Sequence, residues 1–430
     1  MKLKRDIMPP ISDIENINIQ YPENLQLDNG IPVYIIKSSA IKSVRLDVLF
    51  SAGQWFQAEP FVSTYTNLIL REGSKSYSGK EIADKLDYFG VFSENIVQRN
   101  KAGMGFFILN KYFDKVLPLI ADILQNPSFP LSEFELQKKN THQKLLVGEE
   151  KVAFLAVKKY RSAIYGNTHP LGFEVKPEDA LKTEIESLQK FAAEHYTQNN
   201  CSIILSGNVN SEVISSINKY FGKTCWSKSH KEASINTKFT PSAEKVHIIE
   251  KKDAVQSAIK IGMLVKPESL EDINGLKVLN TLFGGFFGSR LMMNLREDKG
   301  YTYGIGSRLS MINQNYAEFT ISTETGTDVC KGALHEIYSE LEKLIEKSPT
   351  EEELDLVKKY MMGNMLSMFD GPFMSANVIR ALLESGFDYS YLESKIEYIK
   401  STDINKLYEI ATKFFNPNSL FQVVAGKCLG

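Results

Sequence analysis

Cysteine is scarce in this chain, and the four residues present, Cys201, Cys225, Cys330 and Cys428, lie far apart with no CxxC pair. That spacing excludes a zinc knot and speaks against a disulfide framework, so reduced thiols in a reducing compartment are expected. No run of 18 or more apolar residues occurs, and no membrane-spanning helix is expected. The opening MKLKRDIMPPISDIENIN is basic, but Ile7-Met8 runs straight into Pro9-Pro10 instead of an apolar stretch. A secretory signal is therefore not expected, and the location reads as cytoplasmic. Excess positive charge is missing too: 50 basic residues face 52 acidic ones, for a net charge of −2. Nucleic-acid binding is set aside on that ground. None of the six histidines has another histidine within one helical turn.

What is present is ample core material in 430 residues, 43% hydrophobic and 24% charged, and a sequence written twice. Ile35-Ile36 matches Ile248-Ile249 at an offset of 213, and Ser43 matches Ser257 at 214. Gly73-Ser74 meets Gly288-Ser289 at 215, Ser132-x-x-Glu135 meets Thr350-x-x-Glu353 at 218, and YTQNNCSIILSGN meets FNPNSLFQVVAGK at 219. The offset grows steadily along the chain, as two copies diverging by small insertions would make it.

Each copy reads as two β-branched strands, a helix, two more strands, amphipathic helices and a closing strand. The spacing predicts helices over 112–123 and 329–345. Both Ser132/Glu135 and Thr350/Glu353 have the form of a capping box, in which side chains satisfy free amides of the first turn. This order implies an α+β fold: two homologous domains, each a mainly antiparallel sheet with helices packed on one face. The expected boundaries are 1–222 and 242–430. The polar, aperiodic 223–241 forms the linker, where Trp226 is placed to pin the segment to a domain.

One stretch carries more than scaffold. Residues 282–307 read LFGGFFGSRLMMNLREDKGYTYGIGS. Gly284, Gly285 and Gly288 give tight backbone geometry that lets another chain approach closely. A dinucleotide site would need a strand directly before it and an acidic residue some way on, and VLNTLF before it reads as helix. Arg296 and Tyr303 stand seven residues apart across a turn at Lys299-Gly300. Both are hydrogen-bond donors of the kind that can hold a peptide carbonyl and the oxyanion formed from it. Phe286 and Phe287 beside them read as core packing, and His169 before Pro170 reads as a turn residue.

This string, with GG-x-x-G-SRL before it and YGI after it, resembles the C-terminal signature of the M16 family, the pitrilysin/insulinase-type zinc peptidases. LDNGIPVYII, the Gly73 turn and NTHPLG at 167–172 extend the resemblance over nearly the whole chain. It implies that Arg296 and Tyr303 make transition-state or substrate-carbonyl contacts in a zinc site, that Gly284, Gly285 and Gly288 bind substrate, and that the two domains form half of a clam-shell. The family's HxxEH should stand at 64–68, but Thr64-Tyr65-Thr66-Asn67-Leu68 is found there. Thr64 offers a neutral hydroxyl, Asn67 cannot act as a base, and Leu68 has no ligand atom. The family's further Glu ligand falls on Lys144, a cation that repels a divalent metal.

The resemblance therefore implies the non-zinc, substrate-binding subunit of a heterodimeric peptidase, with no cofactor in this chain and zinc in the partner. The partner would be a second M16-type subunit carrying HxxEH. The other ligand would be peptide, with no membrane and no nucleic acid. The alternatives are a proteolytically dead structural or core-type subunit, or a peptide-binding homodimer.

Overall fold

The computed structural model describes residues 16–223 and 238–428, together with Ile14 and Trp226. Eleven strands among the described residues form two sheets. The first contains β1 (Glu23–Gln26), β2 (Pro32–Lys37), β3 (Ser43–Phe50), β4 (Phe92–Val97), β5 (Ala102–Leu109) and β6 (Cys201–Gly207). The second contains β7 (Val246–Glu250), β8 (Gln256–Val265), β9 (Ile305–Asn313), β10 (Tyr316–Gly326) and β11 (Phe421–Gly426). Their spatial orders are β1-β2-β6-β3-β5-β4 and β7-β11-β8-β10-β9. Set β1 aside and the two orders are the same, strand for strand. Each sheet has one parallel pair, β2 with β6 and β7 with β11, and is otherwise antiparallel. The duplication written in the sequence is thus a duplication of topology, and the fold is α+β.

The expected linker lies largely outside the described residues. Trp226 is described, and it does pack against the first half, its ring edge-on to Phe50 at 5.9 Å. Two helices run close to their predicted spans, at Phe113–Gln125 and Cys330–Glu346. The Thr350/Glu353 capping box forms as expected. The Ser132/Glu135 box does not: Pro130 takes the N-cap, the helix starts at Leu131, and Glu135 instead pairs with Lys138 at 3.0 Å. The serine falls two residues past the N-cap, too late to meet the free amides.

The strand β6 is buried along its whole length, which requires cover on both faces. One face meets helices of its own half, such as Phe113–Gln125, in a core that includes Val48, Phe106, Ile120 and Ile203. The other face is covered from the opposite half: Ala376 and Ile379 of the Pro372–Ser385 helix pack on Ile36, Leu49 and Ile204. The second sheet is served in the same way. Leu155, Ala156 and Tyr160 of the Val152–Tyr165 helix pack on Ala258, Val423 and Ala425. Each half therefore lends one helix to the other, and these helices are equivalent in the repeat. Several apolar residues of roughly 1.5–3 kcal/mol each are committed to either contact.

Cys330 and Cys428 form a disulfide, with Cα atoms 5.2 Å apart. This corrects the expectation that all four cysteines are reduced thiols. The segment after β11 runs back over the start of the Cys330–Glu346 helix, a closeness that no sequence spacing reveals. Cys201 is buried and free, its thiol pushed up by burial, and Cys225 lies outside the described residues. No helix among the described residues is long and apolar enough to cross a membrane.

Candidate functional site

The vacant motif sits on a short helix, Val62–Ile69, buried along most of its length. It begins at Phe61, whose φ of 69° is unusual for a residue with a side chain. Asn67 is fully buried and its amide is spent on structure. Its Nδ2 donates to the Gly103 carbonyl at 2.8 Å and to the Tyr196 hydroxyl at 3.2 Å. Its own carbonyl groups accept from Asn95 Nδ2, at 2.8 Å to the backbone oxygen and 3.1 Å to the side-chain oxygen.

Thr64 and Leu68 are half-buried, and Lys144 is exposed on the Leu131–Glu149 helix. Thr64 opens onto a small cleft shared with Gln57, Pro170 and Arg161. The Arg161 Nε donates to the Leu171 carbonyl at 3.0 Å. A zinc ion needs several anionic or imidazole ligands converging on one point. The helix supplies an amide, a hydroxyl and an alkyl group, with a guanidinium close by. Among the described residues, no group of three His, Cys, Asp or Glu side chains is placed to hold a metal ion. These residues do not fit zinc.

Tyr303 is 94% exposed, the most exposed large hydrophobic side chain among those described. It stands at the rim of a cleft of about 490 Å³. The floor is the paired strands β8 and β10, and Ala156 and Val157 of the exchanged Val152–Tyr165 helix form one wall. The short approach to β9 is fixed by hydroxyls: Thr302 Oγ1 donates to the Glu324 carbonyl at 2.8 Å, and Thr323 Oγ1 to the Gly304 carbonyl at 3.0 Å. This fastening leaves the intervening Tyr303 ring projecting into solvent.

Arg296 is not among the residues lining that cleft. It lies in the wide turn Met292–Asp298, stacked over the Phe287 ring at 4.7 Å with Glu297 beside it at 3.6 Å. Phe287 is 59% exposed, which corrects its reading as a core residue, whereas Phe286 stacks on Tyr360 at 4.9 Å. The cation that does share the cleft with Tyr303 is Lys260 of β8, which sequence reasoning passed over. Its Nζ donates to Ser322 Oγ at 3.0 Å and sits over the Tyr160 ring, and burial lowers its pKa. The signal available was a lone charge inside the apolar strand KIGML.

The glycines act within the chain. A Cβ on Gly284 would stand 2.6 Å from the Ser307 amide nitrogen, so this glycine lets the Thr281–Gly285 turn lie directly on β9. On Gly288 it would meet the Phe286 ring at 2.8 Å, and on Gly285 the Asn280 carbonyl at 3.1 Å. His169 is a buried turn residue as expected, with its Nδ1 accepting from the Leu171 amide at 3.1 Å.

Residues 182–361 match the model of the Peptidase M16 inactive domain. An uncharacterized zinc protease of Rickettsia felis is 24% identical over 95% of this chain and 92% of its own length. The non-peptidase homolog YmxG of Helicobacter pylori is 22% identical over 81% of this chain and 78% of its own. The crystal structure of a peptidase M16 inactive domain from Pseudomonas fluorescens superposes with a TM-score of 0.86 at 22% identity, covering 94% of this chain and 98% of that one.

Proposed function

We propose, from the premise that this is an M16-type chain, that it is the substrate-holding and non-hydrolytic member of a two-subunit peptidase. The partner is a second M16-type chain carrying HxxEH and its metal. The observation that carries this reading is a contrast within one molecule. The helix that should hold a metal spends its motif position, Asn67, on internal hydrogen bonds, while Tyr303 is 94% exposed and its hydroxyl has no hydrogen-bond partner among the described residues.

In this reading the Tyr303 hydroxyl donates to a peptide carbonyl presented from the partner's side. Arg296, held on Phe287, supplies a fixed positive charge to the same surface. Donors of this kind act by holding charge that develops on the oxygen, and removing one costs about 10²-fold in rate. The glycine turn sets the height of this surface by resting on β9. The name of the Helicobacter pylori relative favours a second reading, in which proteolysis is lost altogether and the chain is a structural subunit.

The test is peptide hydrolysis by this chain alone, by an HxxEH-bearing M16 chain alone, and by the mixture, using wild type and Tyr303→Phe. The proposal expects hydrolysis to rise on mixing, and kcat/KM of the mixture to fall about 10²-fold in the variant. Hydrolysis by this chain unaided, or an unchanged kcat/KM in the variant pair, would overturn it.

A further inference from the structure

A second cavity, of about 560 Å³, opens at the free edge of the second sheet. It is walled by β9 and by the Leu270–Asn280, Pro372–Ser385 and Tyr389–Ser401 helices. Four cationic side chains line it: Arg99, Lys277, Arg308 and Lys395. Arg99 is answered by Glu318. The other three come from three different elements, and among the described residues no carboxylate pairs with any of them. Among the described residues, Lys277 Nζ donates only to the Leu309 carbonyl, at 3.3 Å.

The one carboxylate in the wall, Glu384, is already engaged. Its two oxygens accept from the backbone amides of Asn100 and Lys101 at 2.9 and 2.8 Å. Burial, and then the nearness of Lys395 and Arg308, push Lys277 down to about 7. Burial lowers Lys395 as well. Like charges gathered in a partly dry cavity without a counterion are costly to fold around. A fold that keeps them there gains when an anion enters.

We infer that this cavity is a binding site for a compact, multiply charged oxyanion of the phosphate class. Three cations around one space match an ion of two or three charges, and a lone carboxylate would leave most of that charge unanswered. Lys277 and Lys395 share the cavity lining with Leu382 and Leu392. With apolar side chains in the lining and both lysines desolvated by burial, the cavity has a reduced dielectric, where attraction for an anion is stronger than on an open surface. The site lies apart from the Tyr303 cleft, and the inference does not depend on the proposed function.

Calorimetric titration of the full chain with pyrophosphate, and separately with orthophosphate, tests this at a fixed ionic strength set by chloride. Wild type should bind pyrophosphate saturably and more tightly than orthophosphate. The double variant Lys277→Met, Lys395→Met should bind it at least 10-fold more weakly. Because that variant removes buried charge it is expected to fold, and its circular dichroism and melting temperature confirm this. Arg308→Gln, on the exposed strand edge, gives an independent second variant and should also weaken binding. Absence of saturable pyrophosphate binding, or equal binding by wild type and the folded variants, overturns the inference. Binding of a poly-glutamate peptide but of neither phosphate would overturn the phosphate class.

Discussion

Tyr165 and Glu318 meet across the two halves of the molecule, the Tyr165 hydroxyl donating to the Glu318 carboxylate at 2.8 Å in a buried setting. Arg99, from the turn after β4, reaches the same carboxylate. A strand of the second sheet, the exchanged helix and an edge of the first sheet thus converge on one charge. Burial and that carboxylate raise the Tyr165 phenol far above its usual range, so it stays a donor throughout ordinary pH.

The two donors are not equal. Arg99→Met leaves Glu318 buried with only a phenol to answer it, and should lower the unfolding free energy by about 3–5 kcal/mol. Tyr165→Phe keeps the ion pair and should cost about 1–2 kcal/mol. Urea denaturation of both variants checks the order. An Arg99→Met variant milder than Tyr165→Phe would show that the pair is solvated.

Asn67 gives a prediction in which stability and any metal chemistry separate. Asn67→Ala strands the Gly103 carbonyl and the Tyr196 hydroxyl in a dry interior, while the Asn95 amide keeps its bond to the residue 67 backbone oxygen, and should destabilise by about 2 kcal/mol. The zinc content of the purified chain should be the same before and after the change. Thermal melting and metal analysis on one sample decide both points.

The Cys330–Cys428 bond closes a sequence separation of 98 residues. Cross-links of that span restrict the unfolded chain, and Cys428→Ser should lower stability by about 2–4 kcal/mol. Dithiothreitol should lower the melting temperature of wild type and leave that of the variant unchanged. Equal melting temperatures in wild type with and without reductant would contradict this.

Lys277 sets the sign of a pH effect. Its folded pKa, about 7, lies below the ordinary lysine value of about 10.4 that the unfolded chain keeps. Between those two values the unfolded state binds more protons, so stability rises with pH through that window. Below pH 7 both states are charged and the full cost of burying the ammonium is present. Lys277→Met should remove this slope and add about 1 kcal/mol or more at pH 7. Chemical unfolding of both proteins at pH 7 and pH 9.5 in phosphate-free buffer measures it.

Much of the architecture was legible because it is written in local periodicity and then written again. Ile248-Ile249 could be matched to Ile35-Ile36, and the Thr350 cap could be placed, from neighbours within a few positions. What stayed hidden depends on distant contacts. Ser132 has the right spacing for a cap, but the helix start falls two residues earlier, with Pro130 at the N-cap. Phe287 looked like core, yet it serves as a platform for Arg296 on the surface. Lys260 and Tyr303 line one cleft only because β10 pairs with both β8 and β9, and Lys277, Arg308 and Lys395 line another only where a sheet edge meets two helices. Thr64, Asn67 and Leu68 carry no imidazole or carboxylate, which is a property of residue type and needs no fold to read.

The reciprocal loan of helices also bears on how such a chain could have arisen. A single copy, made alone, would present one face of its sheet bare to water, with its own lent helix unable to fold back over it. Two identical copies could cure this by trading those helices around a twofold axis, and fusing their genes would preserve the trade in one polypeptide. Cutting the modern chain between its copies should therefore yield fragments that are sticky apart and recover only when mixed.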